Sequence, residues 1–267
     1  MIDLRSNFGF HATPFTREIR TQDHFPLPYF DEALDGLKRC IESRHSGALI
    51  APAGTGKTAL LRRLIAALPE ARYQVHYIKV TDLGKRDLCR EIAAACGAPP
   101  TGSYAFLVRA LQERFENAVH EGRRPVILLD ESQDLRRVSF PLLRLITNFE
   151  MDSRLVLSLV ICGQPQLKTV LSRTDQESVA RRIHFYAGLR LLSRDELVQY
   201  LHHRCSIAGC KQFPFDEGAL EALYEISRGN LRAADSLALT ALERAALAEK
   251  KVVGSLHVTE ARQELYP

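Results

Sequence analysis

The 267-residue chain has no apolar run near the ~20 residues that a bilayer-spanning helix needs; its longest, at residues 126–129 and 155–162, fall far short. No membrane span is therefore expected. The first ten residues carry Asp3 and Arg5 and lack an apolar signal core, so the expected location is cytoplasmic. Cysteine is sparse and irregular: Cys40, Cys89, Cys96, Cys162, Cys205 and Cys210 follow no framework spacing, which argues for reduced thiols rather than disulfides. Internal repeats and low-complexity linkers are also missing. Lysine is scarce, 8 against 28 arginines, and Arg is the residue preferred for bidentate contact with phosphate or carboxylate. Arg-rich composition also arises from high-GC coding, and a net charge of +4 permits a polyanionic partner without demanding one. With 46% hydrophobic and 25% charged residues, the chain has ample material for a core, which excludes disorder and fibrous structure. Its length suits one large domain or two smaller ones.

Helical and strand patterns alternate from about residue 31 to residue 191, and an almost wholly helical remainder follows. Strands are expected at residues 46–51, 73–80, 125–130, 154–162 and 183–191. Helices are expected at 58–68, 85–96 and 104–120, the last two separated by the breaker at 97–102. Three amphipathic helices, 194–207, 216–227 and 231–247, would form a small helical lid, the second opening on an acidic Asp-Glu pair. Apolar strands joined by helical crossovers imply an α/β fold with a mainly parallel sheet covered by helices. Phe8, Phe10, Phe15, Phe25 and Phe30 mark an extended amino-terminal arm that packs its aromatics on the body. The expected organisation is an arm at 1–30, an α/β domain at 31–191 and a helical lid at 192–267.

The segment Ala51-Pro-Ala-Gly-Thr-Gly-Lys-Thr58 follows an expected strand and opens an expected helix, the context of a phosphate-binding P-loop. Ala53, Gly54, Thr55 and Gly56 would turn backbone N–H groups toward phosphates at the helix amino terminus, with Ala59 just inside the helix. Lys57 would reach the β- and γ-phosphates, and Thr58 would ligate Mg2+ through its hydroxyl. Ala51 stands where the usual signature has Gly. Downstream, Val126-Ile-Leu-Leu-Asp-Glu131 buries a strand and delivers Asp130 to its carboxyl end, where ligands bind in open parallel sheets. Asp130 would hold Mg2+, directly or through water, and Glu131 would polarise the attacking water. The two motifs together point to nucleoside triphosphate hydrolysis.

Further landmarks occur in order: Asp130-Glu-Ser-Gln-Asp-Leu135, Cys162-Gly-Gln-Pro-Gln-Leu167, Val179-Ala-Arg-Arg-Ile183 and Gly229-Asn-Leu-Arg232, with Phe8-Gly-Phe-His-Ala-Thr-Pro-Phe15 at the amino end. This set resembles the ExeA/GspA-like AAA+ ATPases, a group similar to the transposition ATPases TniB and TnsC and more distantly to MuB and IstB. The resemblance implies a P-loop AAA+ domain followed by a lid, with ATP and Mg2+ as cofactors. It implies that Gln164 is the sensor 1 residue and that Arg182, or its rival Arg181, is the arginine finger completing a neighbouring subunit's site. Arg232 matches sensor 2, although the group more often has Pro where Leu231 stands. The alternative for all three arginines is a surface ion pair. Adenine over guanine rests on the resemblance, since no Asn-Lys-x-Asp motif occurs.

Two other signals are discounted. His202-His-Arg-Cys205 with Cys210 gathers soft ligands, but neighbouring residues on a helix point about 100° apart and the spacings match no standard zinc signature. Cys162 has no base paired with it in sequence and reads as a buried strand residue.

A finger that acts in trans requires a homo-oligomer, ring or helical filament. The first functional expectation is an ATP-dependent regulator that assembles on double-stranded DNA, marks a target and recruits or activates a transposase. Lys79, Lys85 and Arg86 are the candidate phosphate contacts, and such binding would be sequence-independent and salt-sensitive. Their alternative is an ordinary solvated face. No helix-turn-helix or zinc finger is present to read bases. The second expectation is the cytoplasmic ATPase module of a secretion or envelope-assembly system; such proteins are expected to continue into a membrane helix and a peptidoglycan-binding domain, neither of which precedes Pro267 here. A third is a slow nucleotide switch that signals through protein contacts, against which Glu131 argues.

Overall fold

The computed structural model of the protein describes residues 4–16 and 18–266. In chain order the helices are α1 (Leu4–Phe8), α2 (Pro28–Glu42), α3 (Lys57–Ala66), α4 (Lys85–Cys96), α5 (Tyr104–His120), α6 (Phe140–Ile146), α7 (Gln166–Leu171), α8 (Glu177–Ala180), α9 (Arg194–Ile207), α10 (Glu217–Ser227), α11 (Leu231–Leu247) and α12 (Ser255–Leu265). The strands are β1 (Ser46–Ile50), β2 (Tyr73–Lys79), β3 (Arg124–Asp130), β4 (Ser158–Gly163) and β5 (Ile183–Gly188). The chain forms two compact units. One comprises Met1–Leu27, Ala53–Thr55 and Arg190–Pro267; the other comprises Pro28–Pro52 and Gly56–Leu189.

The second unit is built on a five-stranded sheet in the order β2-β3-β4-β1-β5, every ladder parallel. The inner strands β3 and β4 carry apolar runs because both faces are covered: Val126, Ile127, Leu128 and Leu129 of β3, and Val160, Ile161 and Cys162 of β4, are fully buried. One face packs against α4, α5 and α6 through Leu88, Ile92, Leu107, Leu111, Phe115 and Phe140. Parallel pairing brings the carboxyl ends of β1, β3 and β4 to one edge, so that Ile50, Asp130 and Gly163 finish close together.

Two strands are shorter than their apolar runs. The fourth begins at Ser158 rather than residue 154, because β3 offers its first ladder partner at Val126, opposite Ser158. Residues upstream instead close a tight turn bridged by Phe149 and Arg154, through Glu150, Met151 and Asp152, all left-handed. The fifth stops at Gly188 because its partner β1 ends at Ile50. The helices at 85–96, 104–120, 194–207 and 231–247 form with those bounds.

The first unit holds four carboxyl-terminal helices rather than three. Helix α12 is polar, burying only Val258 and Ala261, so it carries almost no apolar stripe. Helix α9 opens on a capping box between Ser193 and Glu196, and Glu196 is also paired with Arg190, which holds its carboxyl down to about 2. The amino-terminal residues belong to this unit and begin as a helical turn, not as extended chain. Phe10 and Phe15 are buried, and the Phe15 ring meets Phe215 edge-on at 6.1 Å. Arg204, itself buried, donates to Thr16 O (2.7 Å), to the Tyr200 hydroxyl (2.7 Å) and to Asp235 (3.2 Å). That network ties α9 and α11 to the amino-terminal segment.

Gly36 of α2 faces the Phe185 ring of β5, where an added Cβ would lie 2.1 Å from the nearest ring carbon. Ala is the better helix former by ~1 kcal/mol, yet Gly36→Ala should destabilise the protein by about 1–3 kcal/mol through overpacking. Chemical denaturation of Gly36→Ala should show this loss, and the double variant with Phe185→Leu should recover most of it. An equal loss in both would place the cost outside this contact.

Candidate functional site

The residues after β1 turn sharply before α3 begins: Gly54 and Gly56 take φ of 76° and 97°, which side chains rarely tolerate. Lys57 is the first residue of α3 and is only 6% exposed. Its Nζ donates to Ala51 O (3.3 Å) and Pro52 O (3.1 Å), which uses two of an ammonium's three donors and leaves one for a phosphate oxygen. Thr58, next along the helix, directs its hydroxyl at Asp130 Oδ2, 3.4 Å away.

Asp130 ends β3 and is 2% exposed. Its Oδ2 also accepts from the Tyr77 hydroxyl at 2.9 Å, and its Oδ1 accepts from Glu131 N at 2.9 Å. Tyr77 and Asp130 lie on one sheet face because β2 and β3 run in parallel register, Tyr77 opposite Leu128 and Lys79 opposite Asp130. Burial, then the charge of Asp130, pushes the Tyr77 phenol up, so it remains a hydrogen-bond donor at neutral pH. These three partners of Asp130 are all neutral. A buried carboxylate held by neutral donors, beside a threonine hydroxyl, supplies the hard oxygen ligands that fit Mg2+.

Glu131 follows in a left-handed conformation, φ 57°. Gln133 Nε2 donates to Glu131 Oε2 (2.8 Å), while Gln133 Oε1 accepts from Gln164 N (3.0 Å). One amide thus joins the end of β3 to the end of β4. Gly163 makes room for it: a Cβ there would come within 2.8 Å of Gln133 Oε1.

The fold therefore gathers Lys57, Thr58, Asp130, Glu131 and Gln164 at the carboxyl edge of the sheet, with Ala59 next in α3. Gln164 enters through its backbone amide. Ala53, Gly54 and Thr55 group with the first unit, where Asn230 Nδ2 donates to Ala53 O at 2.8 Å and Asn230 Oδ1 caps α11 by accepting from Ala233 N. Arg232, in the first turn of α11, is exposed.

Arg181 and Arg182 stand just before β5, at the amino edge of the sheet, and the fold does not bring them to the cluster. Arg181 pairs with Glu177 at 2.6 Å and its side chain is 78% exposed. Arg182 is more enclosed, donating from Nε to Thr147 Oγ1 (3.2 Å) and from Nη2 to Asp152. Lys79 ends β2 and is exposed; Lys85 lies over the Tyr104 ring at 5.1 Å and Arg86 donates to Gly102 O at 3.0 Å, so both reach back to the turn before α5. His202 stacks on Phe213, and His203 hydrogen-bonds to Asp23 O at 2.9 Å. Cys162 is buried, and burial pushes its thiol up, away from nucleophilic use.

Three contributors escape a reading by motif: Tyr77, Gln133 and Asn230. Gln133 and Asn230 sit inside the quoted motifs, but their partners are 31 and 177 residues away. Only strand register reveals Tyr77.

Residues 40–171 match the family model described as AAA domain. The chain is 30% identical over 225 residues to general secretion pathway protein A of Aeromonas hydrophila, an alignment covering 83% of this chain but 41% of that protein. It thus spans about two fifths of the curated relative it matches. Among solved structures, Cdc6p of Pyrobaculum aerophilum superposes with TM-score 0.74 at 20% identity, covering 94% of this chain and 70% of that one. The ORC1 protein of Aeropyrum pernix, solved in complex with DNA, gives 0.69 at 23% identity over 94% and 68%. The RuvB Holliday junction branch migration motor of Thermotoga maritima gives 0.59 at 18% identity over 88% and 67%. The fold is that of a P-loop AAA+ protein.

Hydrogen bonds to charged groups contribute about 1.5–3 kcal/mol, so Lys57→Ala should weaken nucleotide binding roughly 10- to 100-fold, read by titration of a fluorescent ATP analogue. If Glu131 acts as a general base, Gln133→Leu should leave nucleotide affinity within about twofold and lower kcat roughly tenfold, since an oriented general base contributes about 10²–10⁴ to rate. A Gln133→Leu protein with unchanged kcat would mean that Glu131 needs no such support.

Proposed function

We propose, from the match of residues 40–171 to an AAA domain, that this protein hydrolyses ATP and does so within an assembly of its own copies. The observation that carries this reading is the cluster at the carboxyl edge of the sheet: the buried Asp130 carboxylate beside Thr58, with Lys57 and Glu131 next to it. Lys57 binds the β- and γ-phosphates. Thr58 and Asp130 would hold Mg2+, which supplies charge neutralisation at those phosphates. Glu131, oriented by Gln133, accepts the proton of the attacking water, and Gln164 holds Gln133 from the neighbouring strand. Arg182 is the proposed finger rather than Arg181: it lies at the far edge of the sheet, where it serves a neighbour's site and not its own, and it is the better oriented of the two. Arg232 is the proposed sensor 2.

The client in this reading is duplex DNA in a cytoplasmic transposition system, with ATP-bound copies assembling on DNA as a ring or filament and activating a transposase. The arginine-rich composition and net charge of +4 support it, with Lys79, Lys85 and Arg86 as the proposed phosphate contacts. A second reading, an ATPase acting on protein partners in secretion, is favoured by the 30% identity to the secretion pathway protein of A. hydrophila. No described helix is long and apolar enough to cross a membrane.

Binding to a random-sequence duplex with ATP analogue, with ADP and without nucleotide, at two salt concentrations and with particle size followed in parallel, separates the two clients. The DNA reading expects nucleotide-dependent binding that weakens steeply with salt and accompanies growth of the particle. Active hydrolysis without DNA binding in any state would leave the secretion reading. In the assembly, Arg182→Ala should cut turnover by ~10³-fold while nucleotide affinity holds; the same loss in Arg181→Ala instead would move the finger by one residue. Glu131→Gln should bind ATP, fail to turn it over and prolong the assembled state.

A further inference from the structure

At the amino edge of the sheet, opposite the nucleotide cluster, a cavity of about 170 Å3 opens among the residues before β1, β4 and β5. Its walls carry three guanidinium groups, Arg44, Arg154 and Arg182, and two imidazoles, His45 and His184. The imidazoles stack face to face, ring centroids 4.0 Å apart and planes 8° from parallel. Asp152 is the lone carboxylate in the lining and is engaged by Arg182; Glu150 neutralises Arg154 at 3.0 Å. Arg44 donates from Nη1 to Leu155 O at 3.4 Å and forms no ion pair among the described residues. The cations therefore outnumber the carboxylates by one before either histidine takes a proton. Burial, then the neighbouring His184, lowers the pKa of His45.

Backbone strain converges on the same place. Arg44 takes φ of 60° as the chain leaves α2, and Glu150, Met151 and Asp152 take 48°, 57° and 66° in succession. A left-handed conformation is unfavourable for a non-glycine residue and persists where surrounding structure enforces it. Here it directs Arg44 and Asp152 into one cavity.

We propose that this cavity binds a multiply charged phosphate oxyanion, as inorganic pyrophosphate or a terminal phosphomonoester. Planar guanidinium forks and imidazole N–H groups are the donors that such oxyanions take. The surplus charge favours an oxyanion, and a terminal phosphate reaches the recess more readily than the diester of a duplex backbone. The cavity contains no residue of the carboxyl-edge cluster, but Arg182, the proposed finger, borders it.

The test uses the 267-residue chain carrying Lys57→Ala, which weakens pyrophosphate binding at the P-loop, with histidine ring signals followed by NMR at constant ionic strength. His45→Gln and His184→Gln assign the two resonances. Pyrophosphate should shift both signals saturably, chloride at equal ionic strength should not, and Arg44→Gln should weaken the apparent affinity about tenfold or more. Should Arg44→Gln fail to fold, Arg154→Gln serves the same purpose. Signals that stay fixed under millimolar pyrophosphate, that move equally with chloride, or that respond only to duplex DNA would each overturn the proposal.

Discussion

The interaction on which the rest of the site depends is the burial of the Asp130 carboxylate among neutral donors. Removing a carboxylate from water is costly unless it gains partners, and Thr58, Tyr77 and Glu131 N satisfy its two oxygens without cancelling its charge. The negative charge is thereby kept for a cation at the sheet edge. Everything nearby is consistent with that need: a lysine ammonium capped by two carbonyls, a helix amino terminus, and a glutamate carboxylate restrained by an amide. The buried apolar strand behind Asp130 fixes its position, since a one-residue slip of β3 would turn the carboxylate to the other face.

The two edges of the sheet divide the charges. At the carboxyl edge, the carboxylates of Asp130 and Glu131 gather with the buried Lys57. At the amino edge, arginines and histidines gather around strained turns, with Arg182 fixed by Asp152 and Thr147 rather than left in solvent. Parallel strand direction produces this polarity, because every strand enters from one edge and leaves at the other. A chain with both faces of its sheet covered has only these two edges on which to place chemistry, and loops at each are tied to neighbouring strands by side-chain to backbone bonds such as Gln133 with Gln164 N and Arg44 with Leu155 O.

The relatives bear unequally on function. Archaeal Cdc6p and ORC1 share the architecture across most of the chain at low identity, which speaks to fold alone. The secretion pathway protein shares more sequence over less of its own length. The carboxyl-edge cluster is common ground for both proposed readings; what distinguishes them is the client.

By itself the sequence determined the parallel α/β plan, the P-loop, the strand ending in Asp130 and Glu131, and the bounds of four long helices, because each is encoded locally in periodicity, caps and glycine placement. It placed strand four too early, ended strand five too late and passed over α12. Strand length depends on what lies opposite in the sheet, and a helix that buries only Val258 and Ala261 shows no period to find. Tertiary structure alone decided that Tyr77 meets Asp130, that Gln133 joins the ends of β3 and β4, and that Arg44, Arg154 and Arg182 share a cavity with stacked histidines. Those contacts join residues from 28 to 138 positions apart, as far as Arg44 from Arg182, and no local pattern reports register across a sheet.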